Sequence, residues 1–462
     1  MGGKRFPDFP PEGFKGRTLR VGDPGYTEAR KIPNARYGSE PALIAQCLDA
    51  DDIVAAVRYC DAHDEPIAIR SGGHAIDGHA IPQDAFVIDT TPMKNIAVDP
   101  ETGVTTIDAG VLLGEMDAAT QEHGFVVPSG TVSDTGAAGL TLGGGMGYLT
   151  RRFGMTVDSL LSVDVVTVRG ERLVASRDQN PELFWGLCGA GHNLAVATSF
   201  TYQARRVGPG VVSGLIIYAI DDAAHILPRL DAVMARAPRE LTIYPVALPA
   251  PPLPGLPGHM VGVPILVLII VYTGAPGASA PAPTSPGPSV AIALPCLGGA
   301  NLDFPEDSTA YSRRGANWMW EVLGMWDTPD KDAEFVRWVD GVMAAMTPLS
   351  LRNGYVNLSC DQGPEWLRNL YGSREKWARI CALKKAFDPH NRLRYNKNVA
   401  RAALQAPARS WVSSWLRPSW MGSVAWALAF LVVCRVGVYL QPNWGLALYL
   451  VRRFGSSNSA AA

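Results

Sequence analysis

Six glycines, Gly136, Gly139, Gly143, Gly144, Gly145 and Gly147, fall within twelve residues. Glycine weakens helices and strands alike, because it loses the most backbone freedom on folding and brings no side chain to pack. A stretch this rich in it must serve close backbone approach to something else. It lacks the Gly-Lys-Ser/Thr ending of a triphosphate-binding loop and does not open a long helix after a βαβ start, so neither an NTPase nor a Rossmann site is supported. A second glycine signal, Ser71-Gly72-Gly73-His74, ends the apolar run Pro66–Arg70. Alone it admits two readings: a turn with a satisfied histidine, or backbone amides converging on an anion such as a diphosphate.

Composition narrows the partners. The 462 residues are 47% hydrophobic and 18% charged, enough to bury more than one core. With 41 basic and 43 acidic residues the formal charge is −2, too balanced for a nucleic-acid partner, and a small-molecule ligand is expected instead. The seven cysteines show no paired spacing, which fits neither a disulfide framework nor a zinc site and favours a reducing compartment. Met1 to Arg20 has no apolar run resembling a secretory signal, so an intracellular protein is expected. Trp420 to Leu440 is nearly all apolar, close to the ~20 residues needed to span a bilayer. Arg435 within it can snorkel toward head groups, with Arg452 and Arg453 just beyond. This tail reads either as a membrane anchor or as an apolar segment packed on the body.

The patterning predicts an α+β chain. A short strand from Ala42 leads into a capped amphipathic helix over 51–59, followed by strands at 66–70 and 86–89. Val163–Val168 and Glu171–Val174 read as a hairpin, and Asn180-Pro181 as the capped start of a helix reaching Leu187, the Asn side chain accepting from freed amides. Beyond Val207 the character changes: strand 215–220, helix 223–235, strand 241–246 and a very apolar strand 263–272 suggest a second domain. A Pro/Gly/Ala/Ser-rich run at 274–288 interrupts it. Helices are expected at 333–346 and 364–386, the latter ending at Phe387-Asp388-Pro389-His390-Asn391.

Arg70-Ser71-Gly72-Gly73-His74, Gly130 to Gly147 and Tyr371-Gly372 to Asn398 together resemble the berberine-bridge-enzyme-like FAD-linked oxidases, of the vanillyl-alcohol-oxidase (PCMH-type) fold group. The likeness spans roughly 25–205 and 295–400, and within the family it is nearest to 6-hydroxynicotine-oxidase-like members. It implies a two-part FAD domain, 1–207 and 350–400, around an antiparallel-sheet substrate domain at 208–349, shortened near 274–300, with the tail at 401–462. A shortened sheet would leave an apolar edge at 263–271 exposed. The resemblance also implies FAD held through the amides of residues 71–74 after Arg70, with a single covalent bond from His74, since Val132 stands where bicovalent members have cysteine. Thr131, Gly136, Gly139, Leu140, Gly143 and Gly144 would line the cofactor, with Val196 near its adenine end.

Tyr355-Val356-Asn357 resembles the Tyr-x-Asn loop that faces the flavin in relatives, which makes Tyr355 the candidate catalytic base. Its phenol, ordinarily near pKa ~10, needs donors to stabilise the phenolate, and Asn357, Asn396 and Asn398 are the candidates. Cys188, His192 and Ala195 stand where relatives usually carry Arg, Gly and Gly. The expected function is oxidation of a C–H bond beside oxygen or nitrogen in a small, natural-product-like molecule, with O2 or another acceptor reoxidising the flavin. The alternative is a catalytically inactive flavin-fold scaffold.

Overall fold

The computed structural model describes residues 6–208, 210–252, 258–274, 290–313, 316–324, 328–347, 350, 354–360 and 362–404. The low-complexity run from 275 onward and the apolar run 420–440 lie outside them. Among the described residues no helix is long and apolar enough to cross a membrane. The chain divides into two compact units: Met1–Pro209 with Gly299–Gly315 and Asn353–Ser410, and Gly210–Gly298 with Ala316–Arg352. Residues 299–315, placed by the sequence inside the inserted domain, thus cluster with the first unit. They are tied there by Tyr311, whose amide donates to the Cys188 carbonyl at 3.0 Å and whose carbonyl accepts from Lys376 Nζ at 2.7 Å.

Four strands, β1 Arg17–Leu19, β2 Leu43–Gln46, β3 Ile67–Arg70 and β4 Phe86–Asp89, form the first sheet of the first unit, in the order β1-β2-β4-β3. β4 is parallel to both its neighbours and buried along its whole length, as expected of a strand covered on both faces. The helix Ala50–Ala62 packs Ile53, Ala56, Val57 and Cys60 into the same core. It starts there because Asp49 Oδ1 accepts from the amides of Asp51 (2.9 Å) and Asp52 (3.1 Å).

Further along the chain come β5 Ile96–Val98, β6 Val104–Asp108, β7 Phe125–Val126, β8 Leu160–Val166, β9 Arg172–Ser176, β10 Val196–Gln203 and β11 Arg205–Arg206. All but β7 and β11, which pair with each other, build a five-stranded sheet in the order β5-β6-β10-β8-β9. The hairpin β8–β9 forms in the expected place. The helix Pro181–Ala190 follows it, but Asn180 does not cap it: Asn180 sits at φ 51° and its Nδ2 donates to the Val174 carbonyl at 2.8 Å. The expected helix over 364–386 is two, Pro364–Leu370 and Arg374–Phe387, broken where Gly372 takes φ 91° and Ser373 caps the second.

The second unit is an antiparallel sheet of β12 Val212–Ala219, β13 Leu241–Pro249, β14 Pro264–Tyr272, β15 Val290–Ala293 and β16 Glu321–Gly324, in the order β12-β14-β13-β15-β16. The expectation of an exposed apolar edge at 263–271 is overturned. β14 lies inside the sheet, in register with β12 from Ile265 to Tyr272 and with β13 from Pro264 to Tyr272, so its unbroken apolar sequence is that of a strand buried on both faces. Helices Ala223–Met234 and Asp332–Met346 cover one face through Leu230, Met234, Val342 and Met346, packed with Ile243, Ala247, Leu266, Leu268 and Ile292.

Candidate active site

The loop after β3 carries Ser71 to His74. Gly73 turns it at φ 74°, a conformation that suits glycine, and Ser71 Oγ donates to the Ala109 carbonyl at 2.7 Å. Gly72 and Gly136 touch backbone to backbone: a Cβ on Gly136 would strike the Gly72 amide nitrogen and come within 2.6 Å of Ser71 Oγ. The two glycine signals, 64 residues apart in sequence, are therefore one place in the fold. The His74 ring stays about a quarter exposed, with Nε2 3.2 Å from Asp134 Oδ1. Asp134, Thr131 and Val132 are exposed, and no thiol stands at 132. Arg70 is used by the fold: its guanidinium reaches the fully buried Asp89 and the Lys31 carbonyl, both at 3.2 Å.

The glycine-rich segment proper is a short helix, Ala137–Leu142, followed by a turn. Most of its glycines are required by other parts of the protein. A Cβ at Gly143 would collide with the Asn357 amide, one at Gly145 with Thr156, and one at Gly147 with the Ser129 carbonyl, while Gly144, at φ 120°, lies against the Tyr311 ring. Gly139 differs, for a Cβ there meets nothing within 4 Å. Leu140 contributes its carbonyl, which accepts from Asn357 Nδ2 at 2.9 Å.

Tyr355 is buried against the end of this segment. Its hydroxyl oxygen accepts from Asn357 Nδ2 at 2.9 Å and from the Gly145 amide at 3.0 Å, and its ring meets Tyr311 edge-on at 6.1 Å. Burial pushes the phenol well above its usual range. The Asn357 donor pulls it down, nearby Tyr311 pushes it up, and the Gly145 and Met146 amides pull it down, but together the donors do not offset burial. Tyr355 is thus held as a neutral phenol, and Asn357 is the single asparagine of the three expected that reaches it.

The C-terminal return supplies the other wall. Asn396 Nδ2 donates to the His192 carbonyl at 2.7 Å and to the Leu393 carbonyl at 3.0 Å, leaving its buried Oδ1 without a partner among the described residues. Asn398 is spent on the fold: Nδ2 donates to Asn391 Oδ1 and Oδ1 accepts from the Arg401 amide. Val196 sends its side chain into the main core. The departures Cys188, His192 and Ala195 are absorbed by the protein. Cys188 and Ala195 are buried, and His192 Nε2 lies 2.9 Å from the Gly139 carbonyl. Burial holds His192 down at about 4, against the raising effect of that carbonyl, so its ring is neutral near pH 7.

A node without a sequence signal sits beside these residues. Asp77, three residues after His74, faces Lys397 Nζ at 3.0 Å and His79 Nδ1 at 3.1 Å, and the Asp77 and Lys397 side chains are each about 90% buried. Burial would raise the Asp77 carboxyl, but His79 and Lys397 outweigh it and hold it at about 2. Sequence reasoning missed Asp77, His79, Lys397 and Asp134 because each is an ordinary polar residue in a loop; only proximity in space gives them meaning.

These residues fit a flavin dinucleotide. The close-packed Gly72–Gly136 backbones, the space beside Gly139 and the accessible His74 ring offer the close backbone approach that a diphosphate needs, whereas Asn396 Oδ1, an acceptor without a partner among the described residues, suits an N–H or O–H donor of the bound group. Comparison with known proteins agrees. Residues 41–176 match the FAD binding domain family. The chain is 26% identical over 450 residues to (R)-6-hydroxynicotine oxidase of Paenarthrobacter nicotinovorans, covering 84% of this chain and 97% of that protein. Its fold is shared with 6-hydroxy-D-nicotine oxidase from Arthrobacter nicotinovorans (TM-score 0.74, 22% identity, 85% of this chain and 99% of that one). It is shared as well with the BBE-like 1 protein of Physcomitrella patens (TM-score 0.72, 18% identity, 85% and 98%). The chain thus carries an FAD binding domain over residues 41–176 and is similar over most of its length to FAD-linked oxidoreductases, and FAD is its cofactor.

Proposed function

We propose that the protein oxidises a C–H bond next to oxygen or nitrogen in a small, natural-product-like organic molecule, with FAD attached through His74 alone and reoxidised by O2 or another acceptor. One observation carries this reading: a single segment, Asp134 to Gly145, is touched by the His74 loop at one end and by Tyr355 and Asn357 at the other. Bound FAD supplies the two-electron acceptor for the hydride. The residues 71–74 orient the diphosphate and present the imidazole, whose neutral form is a competent nucleophile near pH 7. Tyr355, or a group near it, is the proposed acceptor of the substrate proton; to act so, Tyr355 first releases its own phenolic proton to solvent and takes the substrate proton as the phenolate. Its two donors favour the phenolate, and they need a further positive charge or donor from the bound substrate to overcome its burial.

The test is the visible spectrum of the purified protein before and after acid precipitation. Yellow protein whose flavin stays with the pellet, and His74→Ala protein whose flavin leaves it, is the expected result. Flavin retained by His74→Ala would move the attachment elsewhere. Colourless protein that FAD cannot reconstitute would turn the reading toward a scaffold.

A further inference from the structure

The first unit carries a cavity of about 380 Å3, lined by residues from all three stretches of chain that build the unit. It shares no lining residue with the loop 71–74, the segment 136–147, Tyr355, Asn357 or Asn396. Val157, Phe184, Trp185 and Cys188 are buried and give it an apolar floor, with the Phe304 ring half-buried beside them. The aromatic walls are fixed from outside the cavity. Trp185 Nε1 donates to the Asp307 carbonyl at 2.9 Å, the Arg379 guanidinium lies 3.8 Å from the centre of the Trp185 ring, and that of Arg313 lies 5.0 Å from the centre of the Phe304 ring.

Four charged side chains complete the lining, and three of them are paired. Arg379 grips the Glu182 carboxylate with two donors, Nε at 2.9 Å and Nη2 at 2.7 Å. Asp158, buried, accepts from the Met155 amide at 2.7 Å and pairs with the buried Arg313. The fourth, Arg177, is exposed and makes no hydrogen bond or ion pair with any described residue; it acts on Asp158 through space only. An apolar, ring-walled cavity with one uncommitted guanidinium at its rim has the make-up of a small-molecule site whose polar group sets the charge of the ligand. A guanidinium matches a carboxylate with two parallel donors, and ordered aromatic walls stack on a flat ring at little entropic cost. We propose that this cavity binds a planar aromatic carboxylate, its ring on Phe184, Trp185 and Phe304 and its carboxylate on Arg177. The site is independent of the reaction at the flavin. A neutral ligand of the same shape forfeits the charge-assisted pair, and an amine meets the one charge the cavity leaves uncompensated.

The experiment is calorimetric titration of the FAD-loaded protein, at low ionic strength, with indole-3-acetate, indole-3-acetamide and tryptamine, which share one ring system and differ in charge. The acid is expected to bind at least ~5-fold more tightly than the amide, and tryptamine more weakly than either. Arg177→Gln is expected to bring acid and amide within about twofold. Ser308→Trp, which places an indole on the exposed lining, is expected to remove binding of both. Neither residue belongs to the flavin cradle, so flavin content should match the wild type in both variants, and Arg177→Gln is read on its own should Ser308→Trp disturb folding. Acid binding left unchanged by Arg177→Gln would place the acid elsewhere, the flavin site included, and would overturn the assignment. Equal binding of acid and amide by the wild type, preference for tryptamine, or no saturable binding of the acid up to about 10 mM would overturn it as well.

Discussion

At the residue scale, the glycine cluster divides into two jobs that the sequence presents as one. Six glycines in twelve positions announce close backbone approach, yet what approaches Gly143, Gly144, Gly145 and Gly147 is the protein itself. Gly139 alone of the cluster borders open space. The substitutions Gly143→Ala and Gly139→Ala should therefore separate. In Gly143→Ala the new methyl strikes the Asn357 amide, which also holds the Tyr355 hydroxyl, so a loss of about 1–3 kcal/mol is expected in chemical denaturation. In Gly139→Ala the methyl strikes nothing and the site is inside a helix, so the apo protein should keep or gain up to about 1 kcal/mol while its affinity for FAD drops. Equal losses of stability in both would show that Gly139 also serves protein packing. The turn at Ser71-Gly72-Gly73-His74 was legible because paired glycines after an apolar run mark a strand end locally, and Gly73 does turn there at φ 74°. Tyr355 was legible as a position but not in its protonation, since burial is a property of the surroundings and not of the tripeptide.

At the element scale, the segment 388–399 acts as a strap. Asp388 is fully buried; Oδ2 accepts from Lys384 Nζ at 2.5 Å and from the Leu393 amide, and Oδ1 accepts from the Arg392 amide. The Arg392 carbonyl accepts from the Ile67 amide at the start of β3, and Lys397 closes on Asp77. The strap thus fixes both ends of the strand and loop that deliver His74. Lys397→Met should leave the Asp77 carboxylate largely buried with only His79 for company, a loss of about 3 kcal/mol. It should also speed amide hydrogen exchange over 71–79. The sign with pH follows from Asp77: its native value of about 2 lies below the ordinary 3.8, so its stabilisation is complete above 3.8 and fades as pH falls through 2. In Lys397→Met that window moves to higher pH, and denaturation midpoints between pH 2 and 5 check it. Exchange at 71–79 unchanged from wild type would mean the strap does not hold the loop. The sequence placed the end of a helix at Phe387-Asp388-Pro389-His390-Asn391, but an ion pair between Asp77 and Lys397, far apart in the chain, leaves no local trace. The same limit hid β15 and β16, whose four residues each are too short for a period to register.

At the scale of the whole molecule, the first unit is assembled from three stretches of chain, and its last stretch is the most heavily committed. Leu393 belongs to the main core with Phe86, Ile88 and Val196. Lys384 Nζ donates to the Asn193 carbonyl, Lys376 Nζ to the Tyr311 carbonyl, and Asn193 Oδ1 accepts from the Val399 amide. The inserted sheet was legible because apolar runs such as 263–272 stand out, whereas the return of 299–315 to the first unit was not, since its anchor is a Tyr311 backbone met by Gly189 at φ 127°. Two truncations follow from this division. A chain ending at 352 lacks every one of these contacts and should neither retain FAD nor melt cooperatively. A chain ending at 404 keeps them all and should match the full chain in flavin content and thermal midpoint. We propose that the apolar run 420–440 tethers the protein to a membrane, and the same 404-residue chain tests it, for the full chain should float with liposomes and the shortened one should not. Flotation of both, or of neither, would remove the tether. Loss of flavin from the 404-residue chain would show instead that residues beyond the strap complete the first unit.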